Sequence, residues 1–327
     1  MNDFELARPA SGAEAVAALT AAPGGVILAG GQDVLALMKD YVETPPRLVS
    51  LSAVPLRKIE LGGNGGLTVG AMVTLAELAE SSVVRTRWPL LAQAAGSAAS
   101  PQIRNLGTVG GNLCQRPRCW YYRAENLVCL RKGGDKCLAL EGDHRYHAIF
   151  GDGPCHNPNM ASLAVPLLAY GARVEILGPK GPRTVPLESI YDPYGGNIRS
   201  DTNLAPDDVL QHVLLDAADG VHAAHEEVRP RHCQDWPLAT ASVVLRLNGP
   251  NVAAARVVLG AVATSPLLCA PAAAALMGRP PSAASAAAAA EAAVRDAKPL
   301  AQNAHKVTIT RHLVRRVILA AAGLAQV

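Results

Sequence analysis

The sequence predicts an α+β protein built from two domains. Three observations carry this. The first fifty residues alternate helical and strand-like patterns. Composition then breaks near residues 195–222, in the stretch YGGNIRSDTNLAPDD. Beyond the break, strand-like segments give way to alanine-rich helices. At 327 residues the chain is long enough for two cores.

Each element has its own signal. SGAEAVAALT carries a helical period behind an N-cap candidate, Ser11. GGVILAGGQDVLALMK reads as a short strand, a glycine turn and a helix, and PRLVSLSAV as a second strand. RKIELGGNGGLTVGAMVTLAELAES reads as strand, Asn/Gly turn, strand and helix. WPLLAQAAGSAAS is helical, residues 112–158 show no period and read as loop, and MASLAVPLLAYGARVEIL resumes as helix then strand. In the second domain HVLLDA, LATASVVLRLNG and VAAARVVLGAVAT read as strands, and 271–277, 282–297 and 306–325 as helices.

Bulk properties narrow the class. Half the residues are hydrophobic and 17% are charged, as in a soluble globular protein. A net charge of +3 without a Lys/Arg run does not suit a nucleic-acid binder. MNDFELARPA lacks a basic-then-apolar leader pattern, so the expectation is a cytoplasmic protein, with co-export beside a signal-bearing partner as the other route.

Seven cysteines, an odd number, argue against a disulfide framework. Five of them fall between Cys114 and Cys155, and such clustering points to metal. Cys119, Cys129, Cys137 and Cys155 are separated by nine, seven and seventeen residues, with no C-x-x-C pair, so neither a zinc ribbon nor a ferredoxin spacing is present. Four thiolates on converging loops suit a 4Fe–4S cluster. Arg116, Arg118, Arg123, Arg131, Lys132 and Lys136 would offset its negative charge. Reduced, buried cysteines under a solvated basic loop are the alternative, and a mixed site using His144, His147 or His156 is another. Cys114 reads as packing, and Cys233 and Cys269 as inert.

Two glycine-rich turns stand out. LAGGQDVLALMK sits between a strand and a helix, where backbone N–H groups can meet a phosphate; an ordinary strand–helix turn explains the same pattern. It is neither G-x-G-x-x-G nor a P-loop. TVGGNL is the second, and two such turns suit a long diphosphate ligand held from two sides.

LAGGQDVLALMK, TVGGNLCQRPRC, DWPLATASVVL and NAHKVTITRHLVRRVIL together resemble the FAD-binding medium subunits of the molybdenum hydroxylases, the xanthine dehydrogenase family. The likeness runs through nearly the whole chain. The cysteine-bearing insertion narrows it to two subgroups. KGGDKC is similar to the 4-hydroxybenzoyl-CoA reductase β subunit, and CLALEGDHRYHAIFG followed by Cys155 is closer to the bacterial aldehyde oxidoreductase flavin subunit.

The resemblance implies a two-subdomain FAD-binding domain of the PCMH type over 1–215, with subdomains of about 1–55 and 56–215 and a 4Fe–4S insertion at about 114–158. An α+β C-terminal domain with a small antiparallel sheet and helices follows over 216–327. It implies cluster ligands Cys119, Cys129, Cys137 and Cys155. It places the FAD pyrophosphate on Ala29, Gly30, Gly31, Gln32, Asp33, Val34 and Leu35, with Ile103, Thr108, Gly111 and Asn112 lining the cofactor. It implies a small 2Fe–2S partner subunit, a large molybdopterin-binding partner, and electrons passing between the molybdenum centre, the 2Fe–2S clusters and FAD. Three positions depart from the family: Gln32 replaces a Thr, Ser162 a flavin-side Asp, and Glu227 a Lys. Losing an acid and a base beside the flavin would retune its potential.

The resulting expectation is an electron-transfer subunit with no acid–base machinery of its own. The cluster would relay electrons to an outside carrier such as a ferredoxin, docked on a basic loop that includes Arg131 and Lys132. Competing readings are an FAD subunit with structural zinc, and a flavin-poor scaffold.

Overall fold

The structure is a computed structural model, and it describes residues 1–191, 197–231 and 234–325. A small parallel sheet opens the chain. It comprises β1 (Glu5–Ala7), β2 (Val26–Leu28) and β3 (Arg47–Ser50), in the order β1-β3-β2. Helix α1 (Gly12–Thr20) starts where the Ser11 hydroxyl accepts from Glu14 N at 3.2 Å. Its Ala15, Val16 and Leu19 pack on Val49 and Leu51. Helix α2 (Val34–Lys39) follows the glycine turn directly.

The second layer is a five-stranded antiparallel sheet. Its strands are β4 (Ile59–Leu61), β5 (Leu67–Gly70), β6 (Arg173–Gly178), β7 (Gly181–Pro186) and β8 (Val209–Leu215), ordered β4-β5-β8-β6-β7. HVLLDA therefore pairs as β8 with β5 and β6, in the first domain's sheet and not in the C-terminal meander. The sheet packs on α3 (Leu75–Glu80), α4 (Ser82–Arg87) and α5 (Pro89–Ser97) around fully buried Trp88, whose indole N–H donates to Asp216 O at 3.3 Å. A Thr74/Glu77 capping box starts α3.

Short helices α6 (Pro101–Arg104), α7 (Val109–Leu113) and α8 (Trp120–Arg123) lead into the cysteine segment, and α9 (Ala164–Ala169) leaves it. TVGGNL is thus a Thr108-capped helical turn rather than an open loop, because the Thr108 hydroxyl accepts from Gly111 N at 3.1 Å.

The C-terminal part is an antiparallel sheet, β9 (Val221–Val228), β10 (Ala239–Asn248), β11 (Asn251–Gly260) and β12 (Leu267–Leu268), covered by α10 (Ala270–Leu276), α11 (Ala283–Val294) and α12 (His305–Ala321). Sequence patterning missed β9. Its VHAAHEEV has alternating polarity but small side chains, and pairing with β10 supplies what its weak propensity does not. Alanines 286, 289, 290 and 293 let α11 sit close against its neighbours.

The cysteine segment belongs to both halves. Ile149 and Phe150 join the C-terminal core, and both their N–H groups donate to Val262 O. Lys306 of α12 is fully buried and donates to the carbonyls of Tyr146, His147 and Ala261 at 3.1, 3.0 and 2.8 Å. Burial pushes its pKa down to about 7, while three carbonyl acceptors match the three N–H groups of the ammonium. Asn303 adds two bonds, to His147 O and Ala148 O. Replacing Lys306 by Met removes this donor from the carbonyls of Tyr146 and Ala261, while His147 O keeps Asn303. It should lower unfolding free energy by about 3 kcal/mol in a urea titration, and an unchanged midpoint would show that the clamp contributes nothing.

Candidate functional site

One cavity is lined by both glycine turns and a second by the cysteine segment. The larger, about 1020 Å³, exceeds what a drug-sized ligand needs. Every residue assigned to a cofactor from the sequence lines it except Leu35 and Glu227. Ala29, Gly30, Gly31, Gln32, Asp33 and Val34 form one wall. Ile103, Thr108, Gly111, Asn112 and Ser162 lie on the other elements. The two glycine turns touch. A Cβ at Gly30 would come within 1.8 Å of Leu106 O, so only glycine fits, and Gly31 takes a φ of +72°.

Leu35 turns away from the cavity, its N–H donating to Gly31 O within the first turn of α2. Glu227 is a second correction. It lies buried on β9, bonded to Arg229 and 3.7 Å from His225. Burial pushes its carboxyl up, but His225 and Arg229 outweigh this and hold it below the ordinary range. An acid locked there does not face the cavity. Ser162 does, and its hydroxyl accepts from Asn112 Nδ2 at 3.3 Å, while Asn112 Oδ1 accepts from Leu163 N at 3.0 Å. Asn112 therefore ties the entry of the cysteine segment to its exit.

The smaller cavity is lined by Cys119, Cys129, Cys137 and Cys155, together with Leu130, Arg131 and Asn157. Four cysteines spread over 37 positions thus meet at one place. Cys114 lines the larger cavity instead, and Cys269 lies under α11, where its thiol faces Ala293 O. Cys233 lies outside the described residues. Cys137 and Cys155 hydrogen-bond to each other, which with neighbouring N–H groups brings the Cys137 thiol down to about 5. Burial pushes Cys119 up to about 11. Cys119 Sγ lies 3.3 Å from His147 Nε2, and Trp120 and Tyr121 stack around that imidazole. His144 is buried too, spanning Ala139 O and Gln302 N. Neither histidine is the surface residue that a lone loop histidine suggests.

Among the described residues, no group of three or more His, Cys, Asp or Glu side chains is arranged to hold a single metal ion. Four thiols line one cavity, and two buried polar atoms that line it, Arg131 Nε and Asn157 Oδ1, have no hydrogen-bond partner among the described residues.

Arginines bind the cysteine segment to the larger cavity. Asp33, at the end of the glycine turn, accepts from Arg116 N at 2.7 Å and Arg123 Nη2 at 2.5 Å, and pairs with Arg118 at 3.0 Å. Arg118 also covers the Trp236 ring at 4.8 Å, on the cavity rim. Arg116 reaches Glu43, Tyr122 and Asp201. Leu37 of α2 packs on Tyr122 and Cys129. Asp201, Glu43 and Trp236 escaped sequence reading because they lie far along the chain and carry no local pattern.

The matches to known families decide the identity. Residues 2–215 match the FAD binding domain in molybdopterin dehydrogenase, and residues 224–321 match the CO dehydrogenase flavoprotein C-terminal domain. The chain belongs to the FAD-binding medium subunits of the molybdenum hydroxylase, or xanthine dehydrogenase, family. It is thus a subunit of an oxidoreductase, and its first 215 residues carry the family's FAD-binding domain.

This medium subunit is 32% identical to the aldehyde oxidoreductase FAD-binding subunit PaoB of Escherichia coli K12, over 99% of this chain and all of that protein. It is 30% identical to the carbon monoxide dehydrogenase medium chain of Hydrogenophaga pseudoflava, over 81% of this chain and 76% of that one. Its fold follows two solved structures. The Hydrogenophaga pseudoflava carbon monoxide dehydrogenase lacking the Mo-pyranopterin moiety gives a TM-score of 0.78 at 28% identity, covering 98% of both chains. Quinoline 2-oxidoreductase of Pseudomonas putida 86 gives 0.75 at 26%, also over 98% of both. No helix among the described residues is long and apolar enough to cross a membrane.

Asp33 is the testable joint. Asp33→Ala should release the Arg118 and Arg123 side chains and the Arg116 N–H, and open the cysteine segment more often. Cleavage between residues 114 and 158 by a limiting protease should then run at least about tenfold faster; wild-type protection would refute that fastening.

Proposed function

We infer that this chain is the flavin and 4Fe–4S electron-transfer subunit of a molybdenum hydroxylase complex acting on aldehydes. One observation carries the reading. Cys119, Cys129, Cys137 and Cys155 line a single cavity, and arginines of their segment join it to the glycine turn on the wall of the larger cavity. Aldehyde chemistry is supported by the likeness to the PaoB subunit over the whole chain. In this reading residues 1–215 are the flavin domain with its insertion, and 216–327 the C-terminal domain. The partners are a small 2Fe–2S subunit and a large molybdopterin subunit. The complex works in the cytoplasm, or in the periplasm if a partner brings the signal.

FAD supplies two-electron and the cluster one-electron chemistry when bound. The chain's own residues bind and shield. Residues 29–35 present the glycine turn to the pyrophosphate, although Leu35 supports the turn from behind. Thr108, Gly111 and Asn112 face the cofactor from the second turn, and Ile103 gives it an apolar contact. Gln32 and Ser162 keep hydrogen-bonding groups at two departures from the family, whereas Glu227 acts inside the β-sheet and not on the flavin. Cys119, Cys129, Cys137 and Cys155 hold the cluster.

A single zinc ion would draw its thiolates to about 2.3 Å from one point, and no such convergence exists among the described residues. A reductase acting on 4-hydroxybenzoyl-CoA would use the same subunit plan with electron flow reversed. A flavin-poor scaffold would leave the larger cavity without purpose. A ferredoxin-like carrier remains the outside partner of this reading, but not through Arg131 and Lys132. Arg131 is buried against Asp201, and Lys132 Nζ donates to Ala124 O, so neither forms a docking face.

The test is metal and flavin content of the purified complex. About four irons and four sulfides per chain are expected, with FAD. Serine at Cys119, Cys129, Cys137 or Cys155 should abolish the iron assigned to this chain while FAD stays bound. Unaltered iron in all four variants, or zinc in its place, would overturn the reading.

A further inference from the structure

Arg131 sits in the 3₁₀ turn Leu130–Lys132, directly after Cys129. It lines the cysteine cavity and is only 6% exposed. Its two terminal nitrogens are engaged, Nη1 with Asp201 Oδ1 at 2.7 Å and Nη2 with Ser200 O at 3.2 Å. Its Nε is buried and has no acceptor among the described residues. A buried guanidinium with an unanswered donor is costly, and the cost disappears if the cavity holds an anionic acceptor. Asn157 Oδ1, also lining the cavity, lacks a donor. Turned over, that amide would offer an N–H to the same acceptor.

The other end of this contact leads to the flavin side. Asp201, its side chain 7% exposed, accepts from Arg131 on one oxygen and from Arg116 Nη1 on the other, at 2.9 Å. Arg116 lines the larger cavity. Arg116 Nη2 also pairs with Glu43 Oε1 at 3.1 Å, so two guanidiniums and two carboxylates form one ion-pair network that runs from the cysteine cavity to the larger one.

We propose that Arg131 donates its Nε–H to the sulfur of the 4Fe–4S cluster and raises its reduction potential, and that Asp201 couples this charge through Arg116 to the flavin. The inference rests on the cluster reading above. A hydrogen bond donated to a cluster sulfur in a low-dielectric pocket favours the form of the cluster that holds the extra electron. Arg131 is thus a tuning residue and does not ligate iron. The shared carboxylate makes the two potentials move together when its own charge is altered.

The experiment is a redox titration of the intact complex, with the cluster followed by electron paramagnetic resonance and the flavin by visible absorbance. Arg131→Gln should change the oxidised-to-reduced ratio of the cluster at fixed potential about tenfold toward oxidised, equal to about 59 mV for one electron. Arg131→Lys, which keeps the charge but loses the Nε donor, should shift in the same direction by less. Asp201→Asn, which removes the negative charge, should shift both cluster and flavin the opposite way. An iron-loaded Arg131→Gln complex with an unchanged midpoint overturns the proposal. If that variant loses its iron, the other two decide, and unchanged midpoints in Arg131→Lys and Asp201→Asn overturn it. A wild-type complex with no iron and sulfide beyond those of its 2Fe–2S subunit instead defeats the cluster reading, which is a different result.

Discussion

A single carboxylate organises the site. Asp33 ends the glycine turn, and everything it accepts comes from the cysteine segment: the backbone of Arg116 and the side chains of Arg118 and Arg123. Charge-assisted bonds of this kind are about twice as strong as neutral ones. They are also the reason the two cavities keep a fixed relation. Pull the glycine turn away and two guanidiniums and one backbone N–H lose their acceptor in a half-buried place, where that loss is expensive. The turn that faces one ligand is therefore also the anchor for the walls of the other.

A segment of more than forty residues with almost no regular structure needs answers for its backbone polar groups. Here the answers come from both sides. Arg123 Nε bonds Pro117 O, and Lys132 Nζ bonds Ala124 O, within the segment. Lys306 and Asn303 reach in from the C-terminal helix to the carbonyls of residues 146–148. Ile149 and Phe150 pair with the end of β11 and fill the C-terminal core. The segment is inserted in one domain by sequence and cemented into both by packing. Side chains replace the hydrogen-bond ladder that a helix or sheet would supply.

The same economy explains the basic residues. Their density near the cysteines looks like a docking patch in one dimension. In three dimensions Arg116, Arg118, Arg123 and Arg131 point inward, each held by a carboxylate, and Lys136 alone of the group pairs at the surface, with Glu141. A cavity lined with thiols needs positive charge close by in low dielectric, where it acts strongly, rather than at a solvated face where salt screens it.

By itself the sequence determined the local elements and the chemistry available. Ser11 and Thr74 mark helix starts, alternating apolar runs mark most strands, and the glycine turns and clustered cysteines mark both sites, because caps, periods and turns act over a few residues. Tertiary structure alone decided three matters. It put HVLLDA in the first domain's sheet, since strand pairing is chosen by a partner more than thirty residues away. It kept Glu227 off the wall of the larger cavity, since β9 exists only through its pairing with β10. It brought Asp201 between Arg131 and Arg116, since long-range ion pairs are set by the approach of distant loops and leave no periodic mark in the chain.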